Sequence, residues 1–280
     1  MNIKIYIPYH TKKPIWLKRS IEDIEQQIVS KKIKCRVFID IIANGNAEQE
    51  CPVNNKKFKY ITRYKFYKNI NSAAEARNCA LFNKNVIGFK KIDLIIGHDY
   101  DDQYIGKKVL QDLIEPFTIN KKLVMAFGNN RMENKLGRKF INKNLYPDFL
   151  DISDFFKNST INKNNHQKLI SYILKTYHFP TQATIYKYDL LKKINGYPLI
   201  TSMEDRLMTI KFLMTANQLG LPIQFINKDF VCYLQHPDST SECNLKNNGR
   251  IIIINDIRAF LKNGLQSVNN PIIKNYLLRN

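Results

Sequence analysis

Apolar runs of strand length alternate with amphipathic stretches of helix length from the first residues of this 280-residue chain. "IKIYIPY" (3–9) reads as a strand, and "PIWLKRSIEDIEQQIVSK" (14–31) as a helix with its Ile and Leu side chains on one face. "KCRVFIDIIA" (34–43) and "KYITRYKFY" (59–67) are further strands, the first closed by the turn signal "NGN" at 44–46. Ser72 opens a helix over 72–85, with Glu75 three residues on to complete a capping box. "KIDLIIGHD" (91–99) is a buried strand, and "GKKVLQDLIEPF" after it a helix. Parallel neighbours can be joined only by a crossover long enough to hold a helix, so this alternation implies a mainly parallel, doubly wound sheet.

"KLVMAFGNN" (122–130) adds a strand, after which the pattern loosens. Residues 131–167, rich in Asn, Lys and aromatics, are expected to form an inserted loop region. Helix returns at 167–177, and 182–198 reads as a strand, a short helix and a Gly-containing turn. A helix over 203–220 ends at Gly220 with Pro222 just beyond, and 223–236 reads as a strand pair. The tail 250–280 is amphipathic and helical, with Lys and Arg on its polar side. With no internal repeat and no low-complexity linker, one domain is the expected count.

No stretch reaches the roughly 18 apolar residues that a membrane-spanning helix needs. The first ten residues alternate like a strand and lack a signal peptide's apolar core, so a cytoplasmic location is expected. Cys35, Cys51, Cys79, Cys232 and Cys243 are an odd number at scattered spacings without a CxxC, so neither a zinc ribbon nor a disulfide framework is indicated, and reduced, mostly structural thiols are expected. The formal charge of +20 has two readings. One is an anionic partner such as nucleic acid or a phospholipid surface. The other is compositional drift, since Lys far outnumbers Arg while Asn and Ile are abundant.

Against that charge, "LIIGHDYDDQYIG" (94–106) places Asp99, Asp101 and Asp102 together at the end of a buried strand. Carboxylates that close repel one another unless they are solvated or share a cation. In a doubly wound sheet, ligands sit at the carboxyl ends of the strands. Asp99 and Asp101, two residues apart, are able to face one such site, hold a divalent cation and through it a diphosphate. A solvated acidic turn is the alternative. Asp102 is expected to cap the following helix and His98 to pack beneath the pair; His10 has no assigned role.

The ordered series "IPYH", "SIEDIEQQ", "NGN", "AAEARNCAL", "DYDD", "GYP", "MEDRL" and "YLQHPDSTS" resembles the family-two glycosyltransferases of GT-A fold over about residues 3–242. The resemblance implies an α/β fold of GT-A type: a Rossmann-like, mainly parallel sheet flanked by helices, with the inserted loop region and the C-terminal helical tail. Residues 1–130 would be the nucleotide-sugar-binding half, 131–249 the acceptor-binding half, and 250–280 a tail packed on the domain. It further implies an inverting hexosyl- or pentosyltransferase that uses a nucleotide-sugar, with a UDP-sugar favoured, and Mn2+ or Mg2+. Tyr9, next to Pro8, would stack on the base, and Asn44 or Asn46 stands where the family often has an aspartate for the base or ribose. Arg77 would approach the base or diphosphate, Asp99 the ribose or metal, and Tyr100 would lie in the same donor site. Asp101 would coordinate the cation, with His236 as a third metal ligand. Glu204 and Asp205 open the 203–220 helix, and Asp205 stands at the position of the general base that deprotonates the acceptor hydroxyl. Helix capping is the alternative for this acidic pair. Gly196 would let the backbone approach the sugar or acceptor, or would serve only a turn.

A surface glycan or lipid-linked saccharide is the acceptor the resemblance favours. A modified DNA base is the second; it would have to leave the duplex, with residues 131–188 tracking phosphates. A protein is the third. The tail segment "RIIIINDIRAFLKNGL" would rest on an anionic inner membrane face or close the core. The reading from a different class is a non-enzymatic, basic nucleic-acid-binding module on the same fold, although no helix-turn-helix, zinc-finger or RNP signature is present. No feature bears on oligomeric state.

Overall fold

A computed structural model describes residues 1–10, 12–29, 35–53, 60–70, 72–83, 91–134, 151–156, 165–176, 178–200, 203–235 and 259. Along the chain these form β1 (Asn2–Tyr9), α1 (Pro14–Val29), β2 (Arg36–Asn44), β3 (Ile61–Tyr67), α2 (Ala73–Phe82), β4 (Leu94–Gly97) and β5 (Gln103–Tyr104). There follow α3 (Val109–Ile119), β6 (Met125–Asn134), α4 (Ile152–Phe155), α5 (Asn165–Thr176), a 3-10 turn (Thr181–Ala183), β7 (Thr184–Lys187), α6 (Tyr188–Lys193), α7 (Glu204–Gln218) and β8 (Ile223–Gln235).

The eight strands make one sheet in the order β3-β2-β1-β4-β7-β6-β8-β5. The first four are parallel, as the alternation implies. The second half is mixed: β7 runs antiparallel between β4 and β6, β8 is parallel to β6, and β5 is antiparallel to β8. Period-two alternation in β1 sends Ile3, Ile5 and Ile7 to one face, where they join Leu17, Ile21 and Ile24 of α1 and the apolar side of α3. The three α1 residues recur at helical spacing and are fully buried; each contributes about 1.5–3 kcal/mol of burial. The other face of the sheet packs on α2, α5, α6 and α7.

That second face also takes a charge. Lys4 of β1 lies 2.8 Å from Asp40 of β2, both side chains fully buried, and Arg63 of β3 donates to the same carboxylate through Nε at 2.7 Å. The Lys4 ammonium also donates to the Ala80 carbonyl of α2. One carboxylate thus ties three strands and a helix together.

Two expectations change. The 223–236 segment is not a strand pair but one 13-residue strand. The polar Asn227–Asp229 stretch that reads as a turn is exposed. It coincides with register shifts against β6 near Asn129, so the strand bulges and continues. Asp102 does not cap α3, which starts at Val109 with Lys108 as its N-cap; it instead accepts from Leu234 N on β8 at 3.3 Å. His236, Cys243, most of 131–167 and all of 250–280 except residue 259 lie outside the described residues. Among the described residues, no helix is long and apolar enough to cross a membrane, and Cys35, Cys51, Cys79 and Cys232 are free thiols.

Candidate active site

From β1 the chain winds outward through β2 and β3, then returns to place β4 on the other side of β1. The carboxyl ends of β1 and β4 therefore flank a topological switch point, where open α/β sheets bind ligands. The two strands pair only as far as Tyr6 and Gly97, with His98 N closing on Tyr6 O at 3.0 Å. Pro8 comes one step later on the same side, so its missing amide hydrogen costs the ladder nothing.

Gly97 is required at this opening. A Cβ there would lie 2.4 Å from the Tyr6 hydroxyl and 2.8 Å from its Cζ. The phenol has little room to retreat, because it shares a 2.5 Å hydrogen bond with Tyr197 and its ring meets that of Tyr197 edge-on. Gly97→Ala should lower stability by about 1–3 kcal/mol through overpacking. Urea unfolding would read the loss, and adding Tyr6→Phe, which deletes the closest atom, should recover part of it.

Arg77 sits at the centre of the crevice. The capping box holds the start of α2 in place: Ser72 Oγ accepts from Glu75 N at 3.1 Å, and the Glu75 carboxylate accepts from Ser72 N at 3.0 Å. One turn on, Arg77 reaches Asp99 at 3.3 Å and Glu204 at 3.4 Å, with its guanidinium 5.9 Å from the Tyr197 ring centre. It joins the acidic turn after β4 to the first residue of α7. Asp99 Oδ2 also accepts from Gln182 Nε2 at 2.8 Å. Asp205 Oδ1 accepts from Arg206 N at 2.8 Å and Oδ2 from Thr181 Oγ1 at 2.9 Å. Asp205, inside the first turn of α7, thus accepts from the next amide while facing the crevice; the N-cap, Met203, makes no side-chain cap hydrogen bond.

Electrostatics separate the two neighbouring acids. Burial pushes the Glu204 carboxyl up, against the pull of Arg77. Burial acts on Asp205 in the same sense, but Arg206, Arg77 and the Thr181 hydroxyl outweigh it and hold Asp205 below the ordinary range. The two neighbouring carboxyls are thus shifted in opposite directions. Burial also raises Asp99, opposed by Arg77. Tyr6, Arg77, Gly97, Asp99, Thr181, Gln182, Tyr186, Tyr197 and Asp205 line one small cleft.

Other residues singled out by sequence fall around the cleft. Tyr9 is fully buried, its hydroxyl donating to Glu48 at 2.8 Å and its ring edge-on to Tyr100. The face that would stack on a base is instead packed. Tyr100 is buried as well, stacked on Trp16 and met edge-on by His10, so it anchors the acidic turn. Asn44 is buried and holds Ile70 O at 3.3 Å, whereas Asn46 is exposed beside the end of β1, tied to His10 O at 3.1 Å. Gly196 adopts φ +63 and a Cβ there would meet Asn78 Oδ1 at 2.5 Å, so it makes the turn and allows close approach to α2. His98 is buried against Tyr104, and burial pulls its ring down to about 4, leaving it neutral.

The acidic turn fits a divalent cation. Asp102 is buried, its Oδ2 lacks a hydrogen-bond partner among the described residues, and burial together with Asp101 and Asp99 raises its carboxyl well above the usual range. A cation held by one or two of these carboxylates would ease their mutual repulsion. Among the described residues no group of three or more His, Cys, Asp or Glu forms a full ligand set. An ion bound here would have to take one or two carboxylates and complete its shell from substrate phosphates.

The cleft also includes residues that sequence reading passed over. Tyr6 and Tyr197 are 191 positions apart and Gln182 is 83 from Asp99, and no local pattern brings such residues together. Only Tyr197 had a signal, as the middle of "GYP".

No family model and no curated protein matches this sequence. Solved structures do match. S. aureus TarS 1–349 aligns with a TM-score of 0.56 at 17% identity, over 91% of this chain and 66% of that one. Its complex with UDP-GlcNAc aligns with a TM-score of 0.56 at 15% identity, over 100% and 79%. The mannosyltransferase PcManGT from Pyrobaculum calidifontis, in complex with GDP-Man and Mn2+, gives a TM-score of 0.58 at 11% identity, over 99% and 68%. This chain spans only 40% of the longer TarS chain. At such identities the likeness is one of fold, and it agrees with a parallel sheet half that opens at β1 and β4: the chain has the fold of the GT-A nucleotide-sugar glycosyltransferases.

Proposed function

We propose that this chain transfers a sugar from a nucleotide-sugar to a hydroxyl acceptor with inversion, and that Asp205 is the general base. The observation that carries the reading is the meeting of Asp99, Arg77 and an ionised Asp205 around one cleft at the switch point. Nucleotide complexes of the structural neighbours support a nucleotide-sugar donor and a divalent cation, and a UDP-sugar is the favoured donor.

In this reading residues 1–130 hold the donor and 131–249 the acceptor, with 250–280 packed on the domain. Asn46, exposed at the end of β2, faces the base or ribose. Asp99 and Asp101 would hold Mn2+ or Mg2+, with His236 as a third ligand. Bound there, the cation supplies Lewis-acid stabilisation of the departing diphosphate. Asp205 takes the proton of the acceptor hydroxyl as its oxygen bonds to the anomeric carbon. The bond from that carbon to the diphosphate breaks, and its electron pair leaves with the nucleoside diphosphate. Glu204 keeps Arg77 directed at Asp99 and the cleft.

A surface or lipid-linked saccharide is the first acceptor, and a DNA base, suggested by the charge of +20, is the second. A cytoplasmic setting, with the basic tail against an anionic membrane face, goes with a lipid-linked acceptor. The direct test is a thermal-shift panel of UDP, GDP, CDP and dTDP with and without Mn2+ or Mg2+. A ligand that binds only the native state must raise its melting temperature. One nucleotide should raise it by several degrees only with metal, and Asp101→Ala should lose that shift. No shift with any nucleotide would sink the donor site and favour the nucleic-acid-binding module.

A further inference from the structure

The 3-10 turn Thr181–Ala183 reaches both carboxylates that face each other across the cleft. Thr181 Oγ1 donates to Asp205 Oδ2 at 2.9 Å, and the next residue, Gln182, donates through Nε2 to Asp99 Oδ2 at 2.8 Å. Thr181 Oγ1 also lies 3.2 Å from Gln182 Oε1. The two carboxylates come from the start of α7 and the end of β4, so no element of their own relates them. The turn itself is fixed: Thr181 N donates to Phe179 O, Ala183 N to Pro180 O, and Thr184 Oγ1 to Pro180 O at 2.7 Å, with Phe179 and Ala183 buried.

We propose that Thr181 is a positioning residue for the transfer, holding Asp205 so that its open lone pairs face the incoming hydroxyl, while Gln182 sets Asp99 from the same turn. This inference rests on Asp205 being the base. A carboxylate offers about four lone-pair sites. Arg206 N takes one on Oδ1 and Thr181 one on Oδ2, which fixes the plane of the group and leaves acceptor sites for a proton. Donation to the ionised form also favours it. The other charged or titratable groups around Asp205 are Arg206 and Glu204 on α7, Arg77 on α2, Asp99 after β4, Tyr6 on β1, Tyr186 on β7 and His178 ahead of the turn.

The experiment compares the full chain with Thr181→Val, Thr181→Ser and Asp205→Asn. It follows UDP release from UDP-GlcNAc and GDP release from GDP-mannose with Mn2+, water serving as acceptor. Thr181→Val should lower kcat about tenfold, the scale of one hydrogen bond to a charged group, with KM for the nucleotide-sugar unchanged. Its kcat should fall away at higher pH than in the wild type, because a base that has lost a stabilising donor protonates more readily. Thr181→Ser should restore both. A loss confined to KM, a loss that Ser does not repair, or an unchanged acid limb would overturn the proposal. If Asp205→Asn turns over normally, the base assignment itself fails. If Asp205→Asn is inactive while Thr181→Val behaves as wild type, only the role of Thr181 fails. Where neither donor is turned over, carbon-13 NMR titration of the Asp205 carboxyl decides: its midpoint should rise in Thr181→Val and return in Thr181→Ser, and an unchanged midpoint rules the role out.

Discussion

Asp205→Asn is expected to reduce sugar transfer about 10²–10⁴-fold, the contribution of a positioned general base, while metal-dependent nucleotide binding survives. The substitution is nearly isosteric. The Asn carbonyl can still accept from Arg206 N, and its amide can donate to the Thr181 hydroxyl, so both contacts of the side chain are kept. Donor contacts assigned to Asp99 and Asp101 are untouched. What disappears is the proton acceptor. Arg206, Arg77 and Thr181 overcome burial to hold Asp205 below the ordinary carboxylate range, so wild-type turnover should also persist to lower pH than an unperturbed aspartate allows. The sign follows directly: a base works above its pKa, and a lowered pKa extends the active plateau downward. Nucleotide release and thermal shift, measured on the same two proteins, separate chemistry from binding. An Asn variant with normal turnover would remove Asp205 from the mechanism.

The parts of this site that sequence revealed are those made by neighbours in the chain. Asp99, Asp101 and Asp102 are adjacent to a buried strand, and Ser72 and Glu75 form their capping box within one helical turn. Periodicity alone placed Leu17, Ile21 and Ile24 on one face of α1. The rest depends on where strands insert. β7 enters antiparallel between β4 and β6, and this carries Thr181 and Gln182 to the two carboxylates. A parallel pattern gives no hint of that insertion. Tyr9 shows the same limit: alternation marks it as a strand residue, but only the fold shows that Glu48 and Tyr100 cover it. The bulge in β8 imitates a turn in sequence because its polar residues are exposed in either case.

Asp40→Ala should cost about 3–5 kcal/mol, because it strips the partner from buried cations. A loss of that size corresponds to a fall of about 10 °C in Tm at this chain length. Lys4 and Asp40 are both fully buried at 2.8 Å, and Arg63 donates to the same carboxylate from β3. The Phe38 ring, 5.6 Å from the Lys4 ammonium, and the Ala80 carbonyl cannot replace the missing charge. Burial already lowers the Lys4 pKa, and only Asp40 opposes that shift. In the variant it must fall further. The folded state then binds fewer protons than the unfolded state between the lowered value and the ordinary one, so the stability of Asp40→Ala should rise with pH across that window. Adding Lys4→Met should recover part of the loss by removing one unpaired charge. Urea unfolding at several pH values reads all three effects. If Asp40→Ala matched the wild type at neutral pH, apolar packing alone would account for the join of β1, β2 and β3, and the buried charges would be incidental to it.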